Sequence, residues 1–302
     1  MDFRELRYVV ALAKYQNVTK AAHSLYVGQP TLTKSIQNLE RSLGQKLFRK
    51  LGNRFLLTYA GEVYLKKAEQ ILLLKKELDQ ELSDIIQSDI GVLKVAFPMM
   101  RGTYMLPCTI PAFYRLYPNV RLDIVEADSD LLEDMLLKGE TDLAFFNLPI
   151  HSSSIGYEII RREEILLVLS AGHPLAKQAV FRENSPYPWL SLELLRDEKF
   201  ILFTKAQRTR QLADSLFAQY HMKPDVFLET RNIQAALTLA ASGYGACFVS
   251  ETHLKHIPFS APPLLFSVGK GNTTLDFVAA FRKNAYLPYH AKEYIQIVRD
   301  FT

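Results

Sequence analysis

Apolar positions change their spacing along this chain, and each change marks a different element. From Phe3 to Tyr15 the residues Phe3, Leu6, Tyr8, Val9, Val10, Leu12 and Ala13 recur at helical intervals and predict a first helix. The stretch from Asn17 to Arg41 reads as two short helices joined by a tight turn. Ala21, Ala22 and Leu25 give the first a small-residue face that allows a close crossing. Leu32, Ile36, Leu39 and Leu43 give the second an inward face at i, i+4, i+7 and i+11. Gly28 supplies the turn, and Pro30 sits in a first turn that has no use for its N–H. Leu47 and Phe48 then open an extended run whose tip, Gly52-Asn53, predicts a type I′ hairpin. From Tyr59 to about Asp89 no proline occurs and no glycine follows Gly61. Tyr64, Ala68, Ile71, Leu74, Leu78, Leu82 and Ile85 step by 3.5 residues on average, the spacing of a helix that pairs with its twin, the alternative being a helix lying on the chain's own following domain. About 30 helical residues span about 45 Å, more than one small domain covers.

Gly91 opens a different texture. GVLKVAF, VRLDIVEA and DLAFFN predict strands, separated by helices over Leu106–Tyr117 and over LLEDMLLKG, which Gly139 stops. A second unit begins near Arg161: EILLVLS, KFILFT, VFLET and ACFVS predict strands, with helices around Gln211–His221 and Ile233–Ser242. PLLFSV, TTLDFVAAF and a helix over Tyr289–Phe301 close the chain, the last with Ala291, Tyr294, Ile295, Val298 and Phe301 on one apolar face. Alternating strands and helices imply parallel-type sheets with crossover helices.

The helix over 30–42 carries the first candidate chemistry. Its outward face presents Thr31, Thr33, Lys34, Gln37, Asn38 and Arg41, the hydroxyl, amide and cationic groups that hydrogen-bond base edges and phosphates in a DNA major groove. Arg49, Lys50 and Arg54 ring the hairpin tip, within reach of phosphates or a narrow minor groove. For one helix alone an ordinary solvated face explains the same pattern. Its neighbourhood decides otherwise.

The run AAHSLYVGQPTLTKSIQNLERSLGQKLFRKLGNRFLLTYAG resembles, without a gap, the winged helix-turn-helix of LysR-type transcriptional regulators. It carries the Ala-Ala pair, a Leu three residues on, Gln-Pro opening the recognition helix, Leu-Glu near its end, then Leu-Gly, Leu-Phe, and a basic wing closing on Leu-Thr and Ala-Gly. The family usually has a further basic residue where Asn53 stands. Looser matches continue in order: LLP, the F-x-x-x-Y-P of Phe113–Pro118, GETDLA, HPLA and AASGYGACFVSE. The resemblance implies an α/β multidomain chain. It divides into a DNA-binding domain over 1–58, a dimerising linker helix over 59–90, and an effector-binding domain over 91–302 similar to type 2 periplasmic binding proteins. Lobe I would take about 91–160 plus 268–302, and lobe II about 161–267. Gln29, Pro30, Thr31, Thr33, Lys34, Gln37, Arg49, Lys50 and Arg54 become the DNA-binding set. The implied partners are double-stranded promoter DNA, a small-molecule effector, RNA polymerase, and further copies of the chain as a dimer or a dimer of dimers.

Charge sharpens this picture. Residues 1–58 hold ten Lys or Arg against three acids, and the remainder 26 against 29, within an overall +4. A basic head on a mildly acidic body is the footprint of a polyanion-binding module with a separate partner domain. No run of about 18 apolar residues exists to span a bilayer, and MDFRELRYVV is unlike a signal peptide, so a cytoplasmic location without membrane attachment is expected. Cys108 and Cys247 each lie in an apolar run and read as buried structural thiols. Neither a metal site nor a cofactor is indicated, since no Cys/His cluster has zinc-ligand spacing.

Ligands of α/β sheets bind beyond strand ends, where the chain enters helix N-termini. That rule selects the 98–103 loop with Met100, Arg101, Gly102 and Thr103, then Ser129, Asn147, Thr204, the Arg231-Asn232 pair and Phe248 as effector-binding candidates. Free N–H groups and Arg101 suggest a small carboxylate, although Arg101 could equally pair with Asp128 or Glu126. An enzyme lacks support: G-x-S-x-G, Walker A, H-E-x-x-H and G-x-G-x-x-G are absent, and GKGNTT lacks a phosphate loop's spacing. An architectural DNA-binding protein, or an enzyme fused to a DNA-binding head, are the competing classes.

Overall fold

The computed structural model forms two compact units, 1–86 and 87–302. It describes residues 2–302 except 87–89, 184, 258, 260 and 272, and the side chains of that stretch except those of 80 and 83–86. The Ile85 side chain and Asp89, both part of the expectation for the long helix, therefore lie outside the described residues.

In the first unit α1 (Phe3–Tyr15), α2 (Val18–Ser24) and α3 (Gln29–Leu43) precede a hairpin of β1 (Phe48–Leu51) and β2 (Arg54–Leu57), then α4 (Tyr59–Ile86). Asp2 and Glu5 form a capping box on α1, and Asn17 Oδ1 accepts the Lys20 N–H at the start of α2. Val9, Leu12, Ala21, Ala22, Leu32, Ile36, Leu39, Leu47 and Phe48 make one core. Leu43 is not part of it. Although in angular register with Leu32, it is the last residue of α3, beyond the end of this core, and is 44% exposed. Glu40 takes the buried place instead: its Oε1 accepts the N–H groups of Leu47 (2.9 Å) and Phe48 (3.1 Å), tying the end of α3 to the first strand.

The hairpin tip differs from expectation in one torsion. Gly52 has φ +58, but Asn53 has no positive φ, so the two-residue loop is of the II′ rather than the I′ class. At the base, Thr58 Oγ1 donates to the Lys46 carbonyl (2.6 Å) and accepts the Gly61 N–H (3.0 Å). Gly61 itself is fixed by close approach, because a Cβ there would lie 2.0 Å from the Leu47 carbonyl oxygen. Along α4, Ala68 is buried, but Leu74, Leu78 and Leu82 are 64%, 54% and 48% exposed.

The second unit continues through β3 (Gly91–Phe97), α5 (Met99–Leu116), β4 (Val120–Glu126), α6 (Ser129–Leu137), β5 (Leu143–Asn147), β6 (Ile155–Leu169), β7 (Lys199–Phe203), α7 (Arg208–Gln219), β8 (Asp225–Thr230), α8 (Ile233–Ala241), β9 (Cys247–Ser250), α9 (Glu251–Leu254), β10 (Leu264–Ser267), β11 (Thr274–Arg282) and α10 (Tyr289–Phe301). The large sheet is mixed, in the order β10-β6-β11-β5-β3-β4 with β9 also on β6. β4, β3 and β5 run parallel, whereas β11 enters antiparallel between β5 and β6, so that β6 runs in the same sense as β5. β7 and β8 form a separate parallel pair.

β6 is the long shared strand. Its first part pairs with β11, between Ile155 and Glu164, and its last residues pair with β9 and β10. One lobe packs α5 and α10 on one sheet face through Phe97, Phe113, Phe145 and Tyr294, and α6 on the other through Leu132, Leu136 and Phe146. The second lobe is likewise covered twice, by α7 through Leu216 and Phe217 and by α8 through Ala236 and Leu237.

Two expectations change here. Helix α5 begins at Met99, not Leu106, so 98–103 is a helix start rather than a loop. Gly102 falls inside the added turns, and the helix runs on through Pro107 and Pro111, with Met105, Thr109 and Phe113 burying one face. Cys247 is buried as expected, whereas Cys108 lies on the outward side of the same helix and is exposed.

Candidate functional site

On the first unit, Gln29, Pro30, Thr33, Lys34 and Gln37 line one open groove together with Asn38 and Arg41. Thr31 is exposed outside it, and Arg49, Lys50 and Arg54 project from the hairpin into solvent. Three of these side chains are partly ordered by the fold: Gln29 Oε1 accepts from Thr19 Oγ1 (3.3 Å), and Arg41 donates to Asn38 Oδ1 (3.4 Å). Exposed cations and amides on one rigid helix, flanked by basic residues on a hairpin, form a surface suited to a polyanion with readable edges.

On the second unit, a cavity of about 250 Å³ opens between the lobes. Of the predicted residues, Met100, Arg101, Ser129, Asn147, Arg231 and Asn232 reach it. Gly102, Thr103, Thr204 and Phe248 do not. Gly102 is buried and Thr103 turns outward on α5, its hydroxyl bonding the Met99 carbonyl. The Thr204 hydroxyl and N–H both bond to Gln207 Oε1 at 3.2 Å, closing the turn before α7. Phe248 packs between Phe200 and Phe217 in the second lobe's core, because β9 is covered on both faces and alternation sends Phe248 inward.

Arg101 is the larger correction. Its guanidinium forks onto Glu163 (2.9 and 2.8 Å), donates to Asn147 Oδ1 (2.9 Å) and the Tyr104 hydroxyl (3.1 Å), and stacks 3.9 Å above the Phe277 ring. Its partner is therefore neither Asp128 nor Glu126. Burial alone would raise the Glu163 carboxyl, but Arg101 outweighs it and holds Glu163 down at about 2. Burial and the same cation push His253, on the cavity wall, down to about 3, so its imidazole is neutral. Ser250 Oγ lies 2.6 Å from His253 Nδ1. Asn232 is also engaged, capping α8 by accepting the Ala235 N–H at 3.0 Å.

Donors for a ligand therefore come chiefly from the backbone. α5, α6 and α7 have Pro98, Asp128 and Gln207 as N-caps, and none receives a side-chain cap hydrogen bond. All three starts line the cavity, through Met99 and Met100, through Ser129, and through Arg208 and Thr209. Pro98, Met99, Met100 and Ile233 supply apolar wall. Sequence reasoning missed Gln207, Arg208, Thr209 and His253. The first three were hidden because α7 starts at Arg208 rather than Gln211, so its N-terminus lay inside the expected loop.

A helix-turn-helix with a basic hairpin, carried beside a two-lobed α/β unit with an interlobe cavity, defines the class of one-component DNA-binding regulators. Residues 3–62 match the bacterial regulatory helix-turn-helix protein model of the lysR family, and residues 87–302 match the LysR substrate binding domain. The chain belongs to the LysR family of transcriptional regulators, and it is not an enzyme. It is 26% identical to the uncharacterized HTH-type transcriptional regulator YcgK of Bacillus subtilis, covering 99% of this chain and 94% of that one. Its fold is similar to that of a cysteine-to-aspartate variant of full-length OxyR from Pseudomonas aeruginosa (TM-score 0.72, 23% identity, 99% and 94% of the chains). It is also similar to full-length CbnR complexed with its target DNA (TM-score 0.62, 23% identity, 100% of both chains).

Proposed function

We propose that this regulator binds operator DNA sequence-specifically as a homodimer, and that a small organic anion in the interlobe cavity changes its grip. The observation that carries the anionic reading is the convergence of three helix N-termini without side-chain caps on one cavity. Each N-terminus offers free N–H groups and the positive end of a helix dipole. The apolar wall suits a ligand with a short carbon body. The arginines at this cavity add less than expected, since Arg101, Arg208 and Arg231 already face carboxylates.

DNA contact is assigned to the α3 groove and the hairpin; CbnR, a chain of similar fold, is itself seen complexed with its target DNA. Dimerisation is assigned to the exposed Leu74, Leu78 and Leu82 of α4, at heptad-like spacing on a helix of 28 residues. The place of work is the cytoplasm; no helix among the described residues is long and apolar enough to cross a membrane.

The test is Ser129→Pro. Proline at the first helical position keeps the helix and the charge but deletes one N–H. Calorimetry of the full chain with a panel of small carboxylates and their neutral amides should show binding of acids only, weakened in this variant. Amides that bind as well as the acids would refute the anionic reading.

A further inference from the structure

Arg208 opens α7 in the second lobe, yet its guanidinium ends on α6 in the first. One terminal nitrogen lies 3.0 Å from Asp130 Oδ1 and 3.1 Å from Glu133 Oε1, while the other bonds Gln211 on its own helix at 3.2 Å. The residue is only 5% exposed and lines the cavity. Its Nε is sealed from solvent with no acceptor among the described residues.

The two sides of this contact are unequally held. Glu133 keeps first-lobe partners whatever Arg208 does: the His151 N–H donates to Oε2 at 2.9 Å, and His151 Nδ1 lies 3.3 Å from Oε1. Among the described residues Arg208 bonds only Gln211 on its own side, and it leaves a buried donor unsatisfied in the tied state, which is costly. A second crossing pair, Arg231 with Asp128 at 3.6 Å, is exposed and screened, and so contributes little.

We propose that Arg208 is a tie between the lobes at the cavity, beside the ring contacts of Tyr104 with His253 and His256, and that an anion entering the cavity loosens it by competing for the guanidinium. This rests on the anionic reading of the cavity given above. Once the guanidinium turns from those acids, a carboxylate beside it accepts two parallel N–H bonds, one of them from the Nε that is sealed and without an acceptor in the tied state, and it competes with acids of which Glu133 has other partners. The tie also explains why the arginine stands at the first position of α7, where the ligand and the lobe contact share one residue. Occupancy then alters lobe spacing by exchanging partners at a single side chain.

Spin labels on Lys138 and Gln219, both exposed, report the lobe separation in the full chain with Cys108 replaced by serine and labelled protein diluted in unlabelled. Without ligand, Arg208→Gln should lengthen or broaden the distance distribution. Asp130→Asn, which leaves the buried Glu133 in place, should do so partially, and the two changes should be non-additive. Ligand-free distances unchanged in both variants would overturn the tie. Acetate or inorganic phosphate is then titrated by calorimetry and by the same distance measurement. A shift in the wild type toward the Arg208→Gln distribution, absent in the variant, supports the exchange. Binding heat without any change in distance overturns the switch but leaves the anion site standing. Absence of heat from either anion counts against the anionic reading itself, and the tie is then decided by the ligand-free distances.

Discussion

Arg101 and Glu163, 62 positions apart, meet in a two-bonded fork that is almost wholly shut off from solvent. Removing one member of such a pair leaves a buried charge without its counterion, a loss of about 3–5 kcal/mol. Arg101→Ala should therefore destabilise the effector unit on that scale in urea denaturation. Arg101→Lys should fall between, because an ammonium cannot reproduce the fork or the stacking on Phe277. The pH dependence follows in sign. Glu163 is held at about 2 against an ordinary 4.5, so its stabilising contribution is complete above about 4.5 and is lost as pH falls toward 2. Thermal melts of Glu163→Gln should be flatter than wild type across that acid window, and parallel slopes would refute the account.

The proposed DNA surface divides base reading, on the α3 groove, from phosphate contact, on the hairpin. Lys34→Ala or Gln37→Ala should cost about 1–3 kcal/mol on the cognate operator and far less on random DNA. Arg49→Ala or Arg54→Ala, on the hairpin, should weaken both and reduce the salt slope by about 0.9 for each phosphate that is no longer neutralised. Anisotropy titrations over a salt series distinguish the two. Equal losses on both DNAs from the helix substitutions would remove Lys34 and Gln37 from base reading.

On α4, Leu78→Asp should place a charge in the dimer seam. Sedimentation should then show dissociation, with loss of binding to a site of two half-sites. An unchanged sedimentation coefficient would place the interface elsewhere.

Gly61 admits no side chain. Gly61→Ala would drive a methyl against the Leu47 carbonyl, and the backbone shift should cost at least the 1–3 kcal/mol typical of overpacking. Differential scanning calorimetry should show a lowered transition of the DNA-binding unit, with the effector unit's transition unmoved.

Local patterns are readable wherever one face of an element meets one core. α1 and α10 have the expected limits, and Leu32, Ile36 and Leu39 point inward as their spacing requires. Legibility fails where distant chain decides the outcome. No local rule pairs Arg101 with Glu163, since the strand carrying the carboxylate arrives only through the sheet. Phe248 is the second residue of β9, short of the carboxyl end where ligands bind, and the core on its side of the strand claims it. Arg208 is hidden because a helix start is poorly marked when its N-cap, here Gln207, makes no side-chain cap bond.

Because β6 passes without a break from one lobe's ladder into the other's, the lobes cannot swing apart like leaves on a flexible strap. Each stays hydrogen-bonded to the same strand, so relative rotation must be absorbed as torsion along it. The β6–β11 ladder is irregular at one point along that strand: Phe277 pairs with Arg161 and Val278 with Ile159, Ile160 of β6 is the extra residue, and the Arg101 guanidinium rests on the Phe277 ring there. A ligand-dependent change of the kind proposed above would therefore reach both ladders as twist in the strand they share.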